Sequence, residues 1–469
     1  MKKIFSIILI TICMTAFNDL QNTSTASPDD IREQVKYQRA MEAVNWGMPV
    51  VNFDLMLQEF KKNGGDYNKI LYWSKLFDWK NQTLTPNPDV IYIMPFFDTK
   101  DWPMVLEIPP ANGGVINGSI MDIWQAAIDD VGPAGLDKGK GGKYLILPPD
   151  YKGSIPSDYL PMHSYTYHGY ALLRSIPKTG SDADVKAAVD YAKKIKFYPY
   201  SQAANPPQTA FIDAMGKEFN SLIQYDHRYF ESLNRVIQSE IWLERDRAMI
   251  DILKYIGIEK GRAFNPDAQT VKLFDKAAAD AHEWLETQYV SHFHTPFYEG
   301  TQWAFPVTDE FGESVKNNFT TPNSYPVDMR GVALTFEFFS AKHLGEGQFY
   351  LLNIKDKNGE PYKGSNSYRL TVPANVPAKN YWSITLYDRE THCLIRNMST
   401  VSRSSLSPGL KKNADGSATL YFGPKAPADN EKNWVPTDPD REFELLFRIY
   451  GPDPSFFKKT WTLPDAEKM

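Results

Sequence analysis

The stretch from Thr83 to Tyr92 reads T-L-T-P-N-P-D-V-I-Y, and three of its side chains have types and spacing that could do chemistry. Asn87 and Asp89 stand two apart in a loop held by Pro86 and Pro88, so both project one way at little entropic cost, with Tyr92 just beyond. A ligand site or a general acid/base needs such pre-organisation. The competing reading is an Asx turn, in which both side chains accept backbone N–H groups and shape the loop. His292 and His294 form H-x-H, a spacing that puts two imidazoles on one side of an extended segment and could bind a metal. No carboxylate partner is identifiable beside them, and such pairs are commonly surface or packing histidines. Trp124 and Trp434 lie beside polar turns, where exposed rings could stack on sugars or aromatic ligands. Asp122 and Asp388 each end a strand and invite a paired-carboxylate reading or a shared turn role. Arg174 and Arg448 sit in apolar strands and must find carboxylates or carbonyls if buried. Cys393 has no activating base evident in sequence.

The commoner signatures are missing. There is no G-x-S-x-G elbow, Walker loop, dinucleotide glycine fingerprint or paired C-x-x-C, and His282-Glu283 does not continue into H-E-x-x-H. A hydrolase assembled from scattered residues is not excluded.

These residues must be positioned by a large chain. At 469 residues it suggests about two to four domains, with 42% hydrophobic, 14% aromatic and 23% charged residues describing a folded protein. A formal charge of −6 favours neither nucleic acid nor an anionic membrane surface. Met1-Lys2-Lys3 and the apolar run Ile4 to Met14 read as a secretory signal, so the expectation is an exported protein, periplasmic or extracellular. Cys13 raises a lipoprotein alternative, although Ile12 stands where a small residue belongs. No later segment approaches the ~20 apolar residues of a membrane helix. With the leader removed, Cys393 has no intramolecular partner, so no disulfide staples the core.

In order, the expected division is a leader (1–26), helices plus a β-block (27–180), a helical insert (181–295) and a second β-block (296–469). Two helices, Ile31 to Val44 and Val51 to Phe60, are predicted on either side of Trp46-Gly47-Met48-Pro49. The insert is expected to hold about four helices, at Asp182 to Lys196, Phe211 to Ile223, Tyr229 to Ile256 and Ala268 to Tyr289. Gly331 to Phe339 reads as the opening strand of the second block.

The two β-blocks echo each other. Ile91 to Asp98, Val105 to Pro110, Val115 to Asp122, Gly141 to Pro149 and Ala171 to Pro177 recur in order as Gln348 to Asp356, Tyr368 to Pro373, Tyr381 to Asp388, Asp415 to Pro424 and Leu445 to Pro452. If this is a structural repeat, Arg174 and Arg448 must occupy equivalent sheet positions and face the same side, since a one-residue slip would turn one of them over. Turn residues punctuating any β-domain could produce the same echo.

The T-P-N-P-D-V-I-Y loop, the Y-x-L-x-V-P bend before Tyr381-Trp382-Ser383-Ile384, the D-G-S before a strand, Asn433-Trp434-Val435-Pro436 and F-R-I-Y-G-P together resemble a bacterial two-domain family. It pairs domain of unknown function 1254 (N-terminal) with domain of unknown function 1214 (C-terminal). The resemblance implies a multidomain α+β chain: an N-terminal immunoglobulin-like β-sandwich, a helical insert and a C-terminal jelly-roll β-sandwich. It implies little about chemistry. Two functions stay open. One is an exported hydrolase acting on a small or oligomeric cell-envelope substrate in a cleft between the β-blocks. The other is a non-catalytic carbohydrate- or ligand-binding or assembly protein. The cofactor is unknown, and a homo-oligomer is left open.

Overall fold

The computed structural model describes residues 27–337, 341–343 and 345–469; the leader, with Cys13, lies outside them. Helix α1 (Pro28–Lys62) opens at a capping box, in which Ser27 and Asp30 satisfy each other's backbone N–H. It does not break at Pro49, as the sequence predicts, but runs through it. The reason is burial. Residues 43–54 are all buried, and the Tyr229 hydroxyl donates to the Val44 carbonyl at 2.6 Å, so tertiary packing outweighs the ~3 kcal/mol that an internal proline costs.

The first block holds β1 (Lys69–Tyr72), β2 (Asn81–Gln82), β3 (Ile91–Asp98), β4 (Met104–Ile108), β5 (Ile116–Asp122), β6 (Ala127–Val131), β7 (Gly142–Leu147), β8 (Tyr159–His163) and β9 (His168–Ser175). After α2 (Asp182–Ala192) come β10 (Lys196–Pro199), β11 (Phe211–Asp213) and β12 (Phe219–Asn220). The helix expected over Phe211 to Ile223 is therefore two short strands. Phe211 to Asp213 pairs with β1, and Gly216 turns the chain at φ 81°, which a helix cannot accommodate.

Next come α3 (His227–Ser239), α4 (Met249–Tyr255) and α5 (Ala268–Ser291), so the segment from Tyr229 to Ile256 is two helices rather than one. Then follow α6 (Asp309–Lys316) and α7 (Val327–Phe336). Residues of α7 were predicted as a strand; they form a helix buried on all faces from Met329 to Phe336. Its apolar run has no period that separates helix from strand, and contact with α1 decides between them. A Cβ at Gly331 would lie 2.2 Å from Asn45 Oδ1, so glycine permits the close approach.

The second block has β13 (Gln348–Asn353), β14 (Tyr368–Val372), β15 (Ala378–Asp388), β16 (Ser402–Ser404), β17 (Ala418–Gly423), β18 (Trp434–Pro436), β19 (Phe443–Pro452) and β20 (Glu467–Lys468). In it, sheets β13-β19-β15-β16 and β20-β14-β17-β18 reproduce, strand for strand, the orders β3-β9-β5-β6 and β10-β4-β7-β8 of the first. All these neighbours are antiparallel except β7–β8 and β17–β18, which are parallel in both blocks. Unrelated β-domains do not share a connectivity that includes one parallel pair at the same place, so the echo is a structural repeat. The first block adds β1 and β11 beyond β3. Strand order does not separate the two blocks into different fold types.

Each block buries one face of each sheet in a core of its own, and strand alternation sends the other residues of β9 and β19 elsewhere. Tyr170 and Leu172, like Leu446 and Tyr450, belong to a third, central core that also takes in α1, α3, α5 and α7. The chain is a mixed α+β, multi-sheet protein whose helices and two repeated blocks meet in that central core. Among the described residues no helix is long and apolar enough to cross a membrane.

Cys393 is a free thiol with 0% exposure in the central core, and burial pushes its pKa up. Replacing it by alanine removes one small buried group and no covalent bond. Cys393→Ala is expected to fold with a loss of about 1–2 kcal/mol in urea titration; failure to fold would contradict a purely packing role.

Candidate functional site

The loop from Thr83 to Tyr92 leaves the first block and is fastened along its length to the second. Thr85 N donates to the His392 carbonyl at 2.7 Å, while Arg448 Nη2 donates to the Thr85 carbonyl at 2.7 Å. The Tyr387 hydroxyl donates to the Pro86 carbonyl at 2.6 Å. Asn87 Nδ2 donates to the Tyr381 and Tyr450 hydroxyls at 2.8 and 3.0 Å, and those two rings stack with centroids 4.5 Å apart. Asn87 Oδ1 accepts from Asp89 N at 3.0 Å, and the Tyr92 hydroxyl accepts from Asn87 N at 3.1 Å. The loop is thus an Asx turn at Asn87, and the side chains of Asn87 and Asp89 both bond to the facing block.

Asp89 opens into a cleft of about 340 Å³ between the blocks. That lies in the size range of small-molecule sites, roughly 300–1,000 Å³. Leu76, Phe77, Asp78 and Pro88 form one wall, and the segment from Met398 to Ser404, with Ser407 and Lys432, forms the other. Ser402 Oγ donates to Asp89 Oδ2 at 2.8 Å. Burial raises the Asp89 pKa; hydroxyls of Ser402 and Ser404 and the charges of Arg448 and Arg403 pull against it without cancelling it. Arg403 is fixed on the rim by Thr400 Oγ1 at 2.8 Å and the Ser402 carbonyl at 3.0 Å. The arrangement gathers one readily protonated carboxyl, several hydroxyls and two cations around an open volume, which suits a polar ligand and proton transfer to it.

The other candidates lie apart. Tyr92 is outside the cleft lining: its hydroxyl accepts from Asn87 N, and its ring stacks behind Phe77 and under the Arg174 guanidinium at 5.1 Å. Trp124 is 4% exposed, with its ring 4.7 Å from that of Trp46, so protein already covers it. Trp434 is half-buried at the start of β18 and donates Nε1 to the Gly423 carbonyl at 2.9 Å. His292 and His294 bracket a single 3₁₀ turn after α5. Among the described residues, the metal-ligating side chains that cluster in a group of three are Asp226, His227 and Asp275, which includes neither.

The serines opposite Asp89 escaped sequence reasoning. The run S-T-V-S-R-S-S-L-S from Ser399 to Ser407 was a compositional signal in plain view. Also unforeseen was a buried ion cluster below the loop, His392 between Glu444 and Glu286, whose members come from β19, α5 and the turn after β15.

Family models match both repeated blocks. Residues 67–199 match DUF1254 and residues 347–454 match DUF1214, each described as a protein of unknown function. The chain belongs to the family that pairs these two domains. Among solved structures, the VPA0106 protein from Vibrio parahaemolyticus is 17% identical, with 92% of this chain and 100% of that one covered and a TM-score of 0.58, a likeness of fold. An uncharacterised protein from Burkholderia cenocepacia is 11% identical over 99% of this chain and 95% of that one, with a TM-score of 0.38. No curated protein matches the chain.

Proposed function

We propose that the chain is an exported hydrolase of a small or oligomeric cell-envelope substrate, bound in the cleft between the blocks. The observation that carries this reading is the Asp89 carboxyl, raised in pKa by burial and opening into about 340 Å³ among serine hydroxyls. A carboxyl that keeps its proton more readily than usual can give it to a leaving group or take one from water. Ser402 orients it, Asn87 holds the loop that carries it, and Arg403 and Lys432 favour substrates with negative or strongly polar groups. The lysine-led apolar leader supports export. The two facing pairs of sheets support reading each block as a β-sandwich of one duplicated plan, rather than an immunoglobulin-like unit followed by a jelly roll.

Purified protein assayed against aryl esters and aryl glycosides tests this. Asp89→Asn keeps an acceptor for Ser402 and is expected to fold, yet to lose about 10²-fold or more in kcat/KM. Equal rates for both proteins would remove Asp89 from the chemistry. One observation favours the second reading, a non-catalytic carbohydrate- or ligand-binding protein: Asp89 and Asn87 already spend hydrogen bonds on clipping the blocks together. On that reading Asp89→Asn weakens binding of a ligand that neither protein turns over.

A further inference from the structure

The repeat sets the starts of two equivalent strands, β5 and β15, on either side of an open groove of about 630 Å³. That volume lies in the range of small-molecule sites, roughly 300–1,000 Å³. Among the described residues the groove shares no lining side chain with the Asp89 cleft, and Val115, Ala134, Pro452 and Phe457 give it apolar walls.

Asn117 stands on its β5 side. Ile116 and Ile120 of that strand enter the core of the first block, so alternation turns Asn117 the other way, toward the groove. Its side chain is 6% exposed, and Oδ1 has no hydrogen-bond partner among the described residues. A buried amide left unpaired is costly, and here the chain supplies no partner for it. Rotation about the last side-chain bond exchanges oxygen and nitrogen, so the amide can offer the groove an acceptor or a donor.

On the other side, the pairing of β15 with β19 shifts register between Ala378 and Tyr381, whereas β5 pairs with β9 from Ile116 to Asp122 without a shift. The irregularity turns Lys379 and Asn380 outward, where both are exposed and line the groove. Lys379 and Glu346 are the charged groups of the described lining, and their signs cancel. The Phe457 ring, 43% exposed, is braced edge-on against Phe349 and Phe456, with centroids 5.2 and 5.3 Å away.

We propose that this groove binds a neutral saccharide bearing an acetamido group, such as an N-acetylhexosamine unit of a glycan. The acetamido N–H and carbonyl complement the two ends of the Asn117 amide, and its methyl suits the wall of Val115 and Ala134. The sugar ring lies on Phe457, with Asn380 and Lys379 in reach of its hydroxyls. Balanced charge disfavours an ionic ligand. The site holds its ligand whether or not the Asp89 cleft is catalytic.

Calorimetric titration of the folded chain with N,N′-diacetylchitobiose and with cellobiose, which carries hydroxyls in place of the acetamido groups, tests this. The expected result is saturable binding of the first below about 10 mM and binding of the second weaker by about ten-fold or more. Asp89→Asn should bind diacetylchitobiose as the wild type does. Asn117→Ala should lose about ten-fold in affinity without a lower urea midpoint, since it gives up no hydrogen bond through Oδ1. If that variant fails to fold, Phe457→Ala, at an exposed position, takes its place with the same expected loss. No saturation by about 10 mM, equal affinity for the two sugars, loss of binding in Asp89→Asn, or undiminished affinity in the folded groove variant would each overturn the proposal.

Discussion

His392→Gln is expected to lower the stability of the folded chain by about 3–5 kcal/mol near pH 6, among the largest effects of any single substitution in the molecule. His392 is 2% exposed, with Nδ1 2.7 Å from Glu444 Oε1 and Nε2 2.9 Å from Glu286 Oε1. The Tyr289 hydroxyl donates to Glu444 Oε2 at 2.9 Å, and Arg389 pairs with Glu286 at 2.9 Å. Burial alone would push the imidazole pKa down, but Glu444 and Glu286 outweigh it and hold it up at about 9. Removing the cation leaves Glu444, with 0% exposure, as a buried carboxylate held by the Tyr289 hydroxyl and, without a direct ion pair, by the charge of Arg389.

The pH dependence follows from the directions of the shifts. An imidazole held above its unfolded value of 6.5 contributes fully below that value, and its contribution is lost as pH rises through about 9. Glu286 is opposed by burial but brought down to about 2, chiefly by His392, so it contributes above 4.5 and its share is lost as pH falls through about 2. Urea midpoints should therefore differ most between wild type and variant near pH 6 and converge at pH about 10. A gap that is independent of pH would mean the imidazole acts by shape alone.

Glu337→Gln should have the opposite sign. This carboxyl, at the end of α7, is pushed up to about 8 by burial, from an ordinary value of 4.5. Between those values the unfolded chain has released the proton and the folded chain has not, so stability falls as pH rises, by about 1.4 kcal/mol per pH unit. Glutamine has no proton to release. The variant is expected to match wild type near pH 4 and to exceed it by several kcal/mol above pH 8, as an order of magnitude. Parallel stability curves for the two proteins would show that Glu337 is solvated rather than buried.

Much of the architecture was legible because it is written in local patterns. The order of turn residues and strands around Ile91 to Pro177 recurred around Gln348 to Pro452, and the structure places Arg174 and Arg448 at equivalent positions facing one core. The loop around Asn87 and Asp89 was legible because prolines and Asx residues have few uses. What failed did so where tertiary contact overrode local preference. Pro49 continues a helix because its surroundings are buried, and the Gly331 segment is a helix because α1 receives it. The His392 cluster left no trace in sequence spacing, since its three members are far apart in the chain and only the fold joins them.

Fragment soaking of crystals of the chain tests the central claim most directly, because it asks where ligands go without assuming a reaction. The account expects polar fragments to gather in the cleft, within hydrogen-bond reach of Asp89, Ser402 or Arg403, and Asp89→Asn crystals to lose those that donate to the carboxyl. Fragments that collect elsewhere while this cleft stays empty would contradict it.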